Sequence, residues 1–196
     1  MSPIKISIIL PVYNSAATLE KSLDSALGQT LRELEVIAVD DGSADESLRL
    51  LEQRAAADPR LRVIAFPENR GTLIARAEAV RAAQGEYLLF LDPDDTFRPE
   101  AAAELYEAAA EKRYDVVAFG CDEFVPCPDG SLQQVWNWIT PPGGEVSGPG
   151  AVLRDLLVDR GHYWNLCLKL IRAEICRNAL GDLEPRIQPQ GSQGSR

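Results

Sequence analysis

Apolar residues in this chain come in short runs that alternate with helical spacings. Ile4 to Leu10 (IKISIIL) is rich in β-branched residues and bounded by Pro3 and Pro11, which predicts a strand buried in a sheet. Leu19, Leu23, Ala26 and Leu27 then fall at i, i+4, i+7 and i+8, one face of a helix. Asn14 and Ser15 are available upstream as caps, and Gly28 is the stop. Leu34 to Val39 (LEVIAV) predicts a second strand. Ser43, followed three residues later by Glu46, has the capping-box form and predicts the start of a helix carrying Leu48 and Leu51. Leu61 to Phe66 predicts a third strand, Pro67 to Thr72 a loop, and the Ala-rich stretch to Ala83 a helix. Gly85 breaks that helix before a fourth strand, Tyr87 to Leu91 (YLLFL). A helix follows from Pro99 to about Lys112, and Val116 to Gly120 predicts a further strand.

Strands that alternate with helices at this spacing build an α/β fold with a largely parallel sheet, in which ligands sit beyond the carboxyl ends of the strands. Past Cys121 the rhythm changes. Asp129-Gly130 predicts a turn between Cys121 to Val125 and Gln133 to Trp138, an accessory hairpin. Pro141 to Gly150 (PPGGEVSGPG) reads as a loop and Ala151 to Val158 as a short helix. After Leu183 the sequence EPRIQPQGSQGSR has no apolar periodicity, which predicts a disordered tail over residues 184–196.

With 196 residues the chain can bury one substantial core, so one domain is expected. Its formal charge of -10 and single histidine, His162, weigh against nucleic acid as a partner, because phosphate backbones need a face of Lys and Arg. Cys121, Cys127, Cys167 and Cys176 form no CxxC pair and have no zinc-type spacing, so they read as reduced and structural. The sequence has neither a signal-peptide pattern nor an apolar run of membrane-spanning length. The expected setting is cytoplasmic, with peripheral association at the inner face of a membrane, or a homodimer, left open.

Carboxylates cluster after two of the strands: Asp40 and Asp41 in VIAVDDGS, and Asp92, Asp94 and Asp95 in LLFLDPDD. Like charges gathered at a ligand-binding edge repel, and a cation or hydrogen-bond donor offsets the cost. Asp92-Pro93-Asp94 has the D-x-D form, suited to Mg2+ or Mn2+ that also takes diphosphate oxygens. The same residues would equally serve as a turn capping the next helix. In D-D-G-S, Ser43 would cap a helix and Gly42 permit a turn, while a carboxylate there can accept a hydrogen bond from a nucleobase N–H.

Taken in order, Pro11-Val12-Tyr13-Asn14, Ser25 with Gln29-Thr30, Asp40-Asp41-Gly42-Ser43, Asn69, Gly71 and Arg76, Gly85-Glu86-Tyr87 and Leu91 to Asp95 resemble the inverting family 2 glycosyltransferases. A weaker echo occurs at Lys169-Leu170-Ile171-Arg172. The resemblance covers roughly the first 120 residues. It implies a GT-A fold, a Rossmann-like three-layer sandwich, whose residues 1–183 form the glycosyltransferase domain. Residues 1–120 would bind the nucleotide sugar, and residues 121–183 would form an incomplete acceptor side, where His162, Tyr163, Trp164 and Asn165 are lining candidates.

The resemblance also implies a nucleoside diphosphate sugar donor, a UDP-sugar first among them, and a glycan, lipid-linked or protein acceptor, as in cell-surface polysaccharide synthesis. Pro11, Tyr13 and Asp41 would surround base and ribose, with Asn14 beside them; Asp92, Asp94 and Asp95 would hold ribose and metal, with Asp94 and Asp95 as the metal ligands. Arg76 would lie near the phosphates. It matches an alanine-arginine element that in the family usually continues with asparagine, whereas Ala77 stands here.

An inverting transfer needs an Asp or Glu that deprotonates the acceptor hydroxyl. In the family this base follows the lysine-leucine element. Here that element leads only to a short helical stretch, Arg172 to Asn178, and Asp182 and Glu184 have no predicted element to hold them. No base is assigned, which leaves a second expectation: a C-terminally truncated, catalytically incomplete donor-binding module. A nucleotidyltransferase is disfavoured because no glycine-rich basic loop follows the first strand, and a dinucleotide oxidoreductase because PVYNSAAT lacks G-x-G-x-x-G.

Overall fold

The computed structural model describes residues 3–127, 131–135 and 166–187. It divides into two units, Met1–Val116 with Leu170–Arg196, and Val117–Lys169. The first unit alternates strands and helices as the periodicity predicts: β1 (Ile6–Val12), α1 (Leu19–Leu27), β2 (Leu34–Asp40), α2 (Ser47–Ala57), β3 (Leu61–Ala65), α3 (Thr72–Ala82), β4 (Tyr87–Phe90) and α4 (Ala101–Lys112). β5 (Val116–Ala118) crosses the boundary between the units, and β8 (Lys169–Arg172) leads back into the first unit, followed by α5 (Ala173–Ile187). The sheet order is β3-β2-β1-β4-β8-β5. The pairs β1–β2, β2–β3 and β1–β4 are parallel, and β8 runs antiparallel to β4. The expected α/β fold around a mostly parallel sheet is therefore present.

β1 and β2 are buried at every residue, which is why both read as near-continuous apolar runs. Of their polar exceptions, Asp40 at the carboxyl end of β2 accepts the Ser43 amide through Oδ2 at 3.1 Å and leaves Oδ1 buried without a partner, whereas Ser7 and Glu35 are satisfied at the amino-terminal edge of the sheet. The Ser7 hydroxyl donates to Glu35 Oε1 at 2.6 Å, while the amides of Gly85 and Gln84 donate to Ser7 Oγ at 2.8 Å and to Glu35 Oε1 at 2.6 Å. Buried polar atoms without such partners would cost roughly 1–3 kcal/mol each.

The helical spacing in α1 holds, with Leu19, Leu23, Ala26 and Leu27 buried and the Gly28 amide closing the helix on Asp24 O at 2.9 Å. The caps differ from expectation. Asn14 and Ser15 give no side-chain cap to α1; the amides of Thr18 and Leu19 donate to the Ser15 carbonyl, both at 3.0 Å. No Ser43–Glu46 capping box forms either, because α2 begins at Ser47, whose amide donates to Asp45 Oδ1 at 3.0 Å. Ser43 is taken by a contact distant in sequence: its hydroxyl oxygen accepts the Asn14 amide at 3.0 Å. The helix predicted from Pro99 starts at Ala101. The stretch after Leu183 continues α5 through Glu184 to Ile187, so these residues are helical rather than tail, and Asp182 lies on a helix fifteen residues long.

Within the second unit, β6 (Glu123–Pro126) pairs antiparallel with β7 (Leu132–Val135), the predicted accessory hairpin, closed by the Cys127 amide on Ser131 O at 2.7 Å. Its predicted Asp129-Gly130 turn, Trp138, the 141–150 loop, the 151–158 helix, His162 to Asn165 and the last nine residues lie outside the described residues. All four cysteines are free thiols, with Cys167 buried and Cys121 exposed. Among the described residues no helix is long and apolar enough to cross a membrane.

Candidate functional site

Crossovers between parallel strands are right-handed, so a chain that steps from β1 to β2 to β3 and then back to β4 must change sheet face at α3. The strand order therefore reverses between β1 and β4, and ligands in such sheets bind in the crevice at that reversal. A cavity of about 360 Å3 lies there, lined among others by Pro11, Tyr13, Asp41, Arg76, Asp92 and Asp94. These six residues come from the ends of β1, β2 and β4 and from α3.

Asp41 is almost fully buried, and its carboxylate closes the loop before α3: Oδ1 accepts the Arg70 amide at 2.7 Å and Oδ2 the Gly71 amide at 2.8 Å. This clamp fixes the first turn of α3. Thr72, Ala75 and Arg76 then fall at i, i+3 and i+4 and face the cavity together. Arg76 Nη2 donates to Asp92 Oδ1 at 2.5 Å, so the arginine is held by an acid at the cavity wall. Tyr13 is half exposed, 49%, and lines the cavity.

The Asp92–Asp95 segment is a β-turn, with the Asp95 amide donating to the Asp92 carbonyl at 3.0 Å and Pro93 in the second position that its fixed φ favours. The turn ends well before α4, and no side chain caps that helix from its own N-cap position. Helix capping thus leaves Asp94 and Asp95 unexplained. The Asp95 carboxyl is pushed above the usual carboxylate range, first by partial desolvation and then by the charges of Asp94 and Asp92. A divalent cation would relieve that repulsion, and these oxygens are the hard donors Mg2+ or Mn2+ prefers. Among the described residues no three His, Cys, Asp or Glu side chains converge into a ready ligand set. Mg2+ commonly takes one or two carboxylates and completes its shell with phosphate oxygens and water, so the residues present fit.

Two of the sequence candidates stand apart from the cavity lining. Asn14 has a positive φ of 48° and spends its side chain on β2's turn, Oδ1 accepting the Ala44 amide at 2.8 Å. Asp95 closes the turn through its amide and is not among the residues lining the cavity. The lining also includes Val12, Ser15, Thr72 and Ala75, which carry no chemical signal in the sequence beyond their spacing from Tyr13 and Arg76.

Residues 7–147 match the family model described as Glycosyl transferase family 2. Among curated relatives, the glycosyltransferase EpsJ of Bacillus subtilis is 39% identical over 115 residues, which are 59% of this chain and 33% of that protein. The chain thus spans about a third of that relative's length. Among solved structures, S. aureus TarS 1-349 in complex with UDP superposes with a TM-score of 0.69 at 25% identity, covering 89% of this chain and 48% of that one. The mannosyltransferase PcManGT from Pyrobaculum calidifontis, in complex with GDP-Man and Mn2+, gives 0.55 at 27% identity over 61% of this chain and 36% of that one. The fold is the GT-A fold that the sequence resemblance implies, and with a match running from β1 through well over half of its length, the chain belongs to glycosyl transferase family 2.

Proposed function

We propose that the chain is the donor-binding part of a metal-dependent, inverting glycosyltransferase that takes its sugar from a nucleoside diphosphate sugar, a UDP-sugar first among them. The acceptor would be a glycan, lipid-linked or protein hydroxyl, in a cytoplasmic setting. One observation carries the reading: Pro11, Tyr13, Asp41, Arg76, Asp92 and Asp94, drawn from four separate elements, line a single cavity at the strand-order reversal. Tyr13 offers a face on which a base can stack, and Asp41 an acceptor for base or ribose. Arg76 supplies the cation beside a diphosphate, and Asp94 with Asp95 the metal oxygens. The metal, when bound, would neutralise charge on the departing nucleoside diphosphate. The UDP and the GDP-Man with Mn2+ in the structural neighbours support the class of ligand.

A second reading, a module that binds donor without transferring it, is favoured by the placement of carboxylates. Among the described residues, those lining the cavity are Asp41, Asp92 and Asp94, the first bound by amides and the second by Arg76. Asp182 is exposed on α5 and does not line the cavity. Thermal unfolding with UDP, GDP, CDP, dTDP and NAD, each with Mn2+ and with EDTA, tests donor binding. At 100 times its dissociation constant a ligand stabilises by about 2.7 kcal/mol. Stabilisation by one nucleoside diphosphate only with Mn2+ upholds the reading, and none by any of them ends it. Sugar transfer to an acceptor, or binding without it, then separates the two readings.

A further inference from the structure

We propose that Ser25 and Gln29 are positioning residues for the carboxylates of the Asp92–Asp95 turn, tying down the backbone that leaves the turn, from Phe97 to Ala102, so that the carboxylates keep the spacing a metal ion needs. The proposal rests on the metal-assisted donor reading above. Ser22, Ser25 and Gln29 recur at i, i+3 and i+7 along one side of α1 and its exit, a polar stripe beside the apolar face of Leu19, Leu23 and Ala26. Each of them bonds to the same stretch of chain. Ser22 Oγ donates to the Asp92 carbonyl at 3.4 Å, and Ser25 Oγ accepts the Phe97 amide at 3.2 Å. Gln29 is fully buried; its Nε2 donates to the Arg98 carbonyl at 2.8 Å while its Oε1 accepts the Ala102 amide at 2.8 Å, in the first turn of α4.

The turn they flank gathers three carboxylates, Asp92, Asp94 and Asp95, within four residues, and like charges so placed repel. Repulsion of that kind splays a turn unless its ends are tied. The turn's internal bond, Asp95 N to Asp92 O, is one tie, and the α1 stripe supplies the others from a helix whose apolar face is buried. None of these side chains touches the cavity, so whatever they do for a bound metal passes through the backbone of the turn. Groups that orient metal ligands in this way typically account for a 10–100-fold effect on metal affinity.

The test is UDP affinity of the purified 196-residue chain, measured by calorimetry with Mn2+ and with EDTA, at a temperature where every variant is folded by circular dichroism. Gln29→Met is expected to cut the Mn2+-dependent gain by about tenfold and to leave the affinity in EDTA within about twofold. Ser25→Ala should lower the gain in the same sense, and Ser25→Thr, which keeps the hydroxyl, should restore it. A purely structural role would lower the melting temperature and leave the ratio of the two affinities unchanged; that result overturns the proposal, as does Ser25→Thr as impaired as Ser25→Ala. If Gln29→Met does not fold, the Ser25 pair decides. A parent chain whose UDP affinity ignores Mn2+ removes the metal-assisted part of the donor reading and this inference together, whereas a parent that responds and variants that respond equally remove this inference alone.

Discussion

Arg76 and Asp92 meet at 2.5 Å across the reversal in strand order, tying α3 to the segment that leaves β4. The guanidinium neutralises one member of an acidic group whose other members, Asp94 and Asp95, have no such cation among their described partners. Arg76→Met should therefore act in opposite directions on two ligands. UDP with Mn2+ loses a charge-assisted contact and binds about tenfold more weakly, whereas Mn2+ alone, meeting a more negative turn, binds more tightly. Folding stability should change by no more than about 1 kcal/mol, because the pair is partly exposed to solvent. Calorimetry with UDP and electron paramagnetic resonance of free Mn2+ check the two directions separately.

Asp95 carries a pH signature. Its folded-state proton is held more tightly than the unfolded chain would hold it, because of desolvation and then the charges of Asp94 and Asp92. Ionised Asp95 thus opposes folding, and the loss sets in as pH rises from the ordinary carboxylate range through the raised folded value. In EDTA, Asp95→Asn should melt higher than the parent at neutral pH and lose that advantage once the medium is acid enough to protonate the parent. With Mn2+ the order should reverse, since protons and metal compete for the same oxygen. Melting curves across pH, with and without Mn2+, read both effects.

Strands and helices were legible because their signals are local. The apolar run predicted as Ile4 to Leu10 became β1 at Ile6–Val12, and the face of Leu19, Leu23, Ala26 and Leu27 is the buried face of α1. Caps were not legible, since Ser43 and Asn14 are consumed by each other's turns across two strand ends, a contact that no neighbour in sequence announces. Asp41, Asp92 and Asp94 followed from their position after strands, whereas Pro11, Tyr13 and Arg76 came from the family resemblance alone. The role of Gln29 did not, because its partners, Arg98 and Ala102, lie some seventy residues away and only the fold brings them near.

Asp41 faces two demands, closing the loop ahead of α3 and lining the cavity. Asp41→Ala removes the acceptor of the Arg70 and Gly71 amides and should destabilise the chain by about 2 kcal/mol in urea unfolding. Asp41→Asn keeps one carbonyl oxygen but turns an amide NH2 toward a backbone N–H, so it should recover only part of that loss. UDP affinity should fall in both, since the first turn of α3 and with it Arg76 lose their anchor.

Glycine substitutions at the two ends of the sheet separate damage to the site from damage to the fold. Gly42 has a φ of +70°, and a Cβ there would stand 2.5 Å from the Glu68 carbonyl carbon and 2.7 Å from the Asn69 nitrogen. Gly42→Ala combines left-handed strain with a backbone collision and should cost at least about 2 kcal/mol. The residue that must give way is the loop clamped by Asp41, so UDP affinity should fall as well. Gly85 has ordinary backbone angles, yet a Cβ there would meet the Ser7 nitrogen at 2.6 Å, at the edge of the sheet away from the cavity. Gly85→Ala should therefore destabilise by roughly 1–3 kcal/mol while the folded fraction binds UDP as the parent does. Equal losses of UDP affinity in the two variants, measured on folded protein, would show that the cavity responds to strain anywhere in the sheet and would remove the special standing of the Asp41–Gly42 turn.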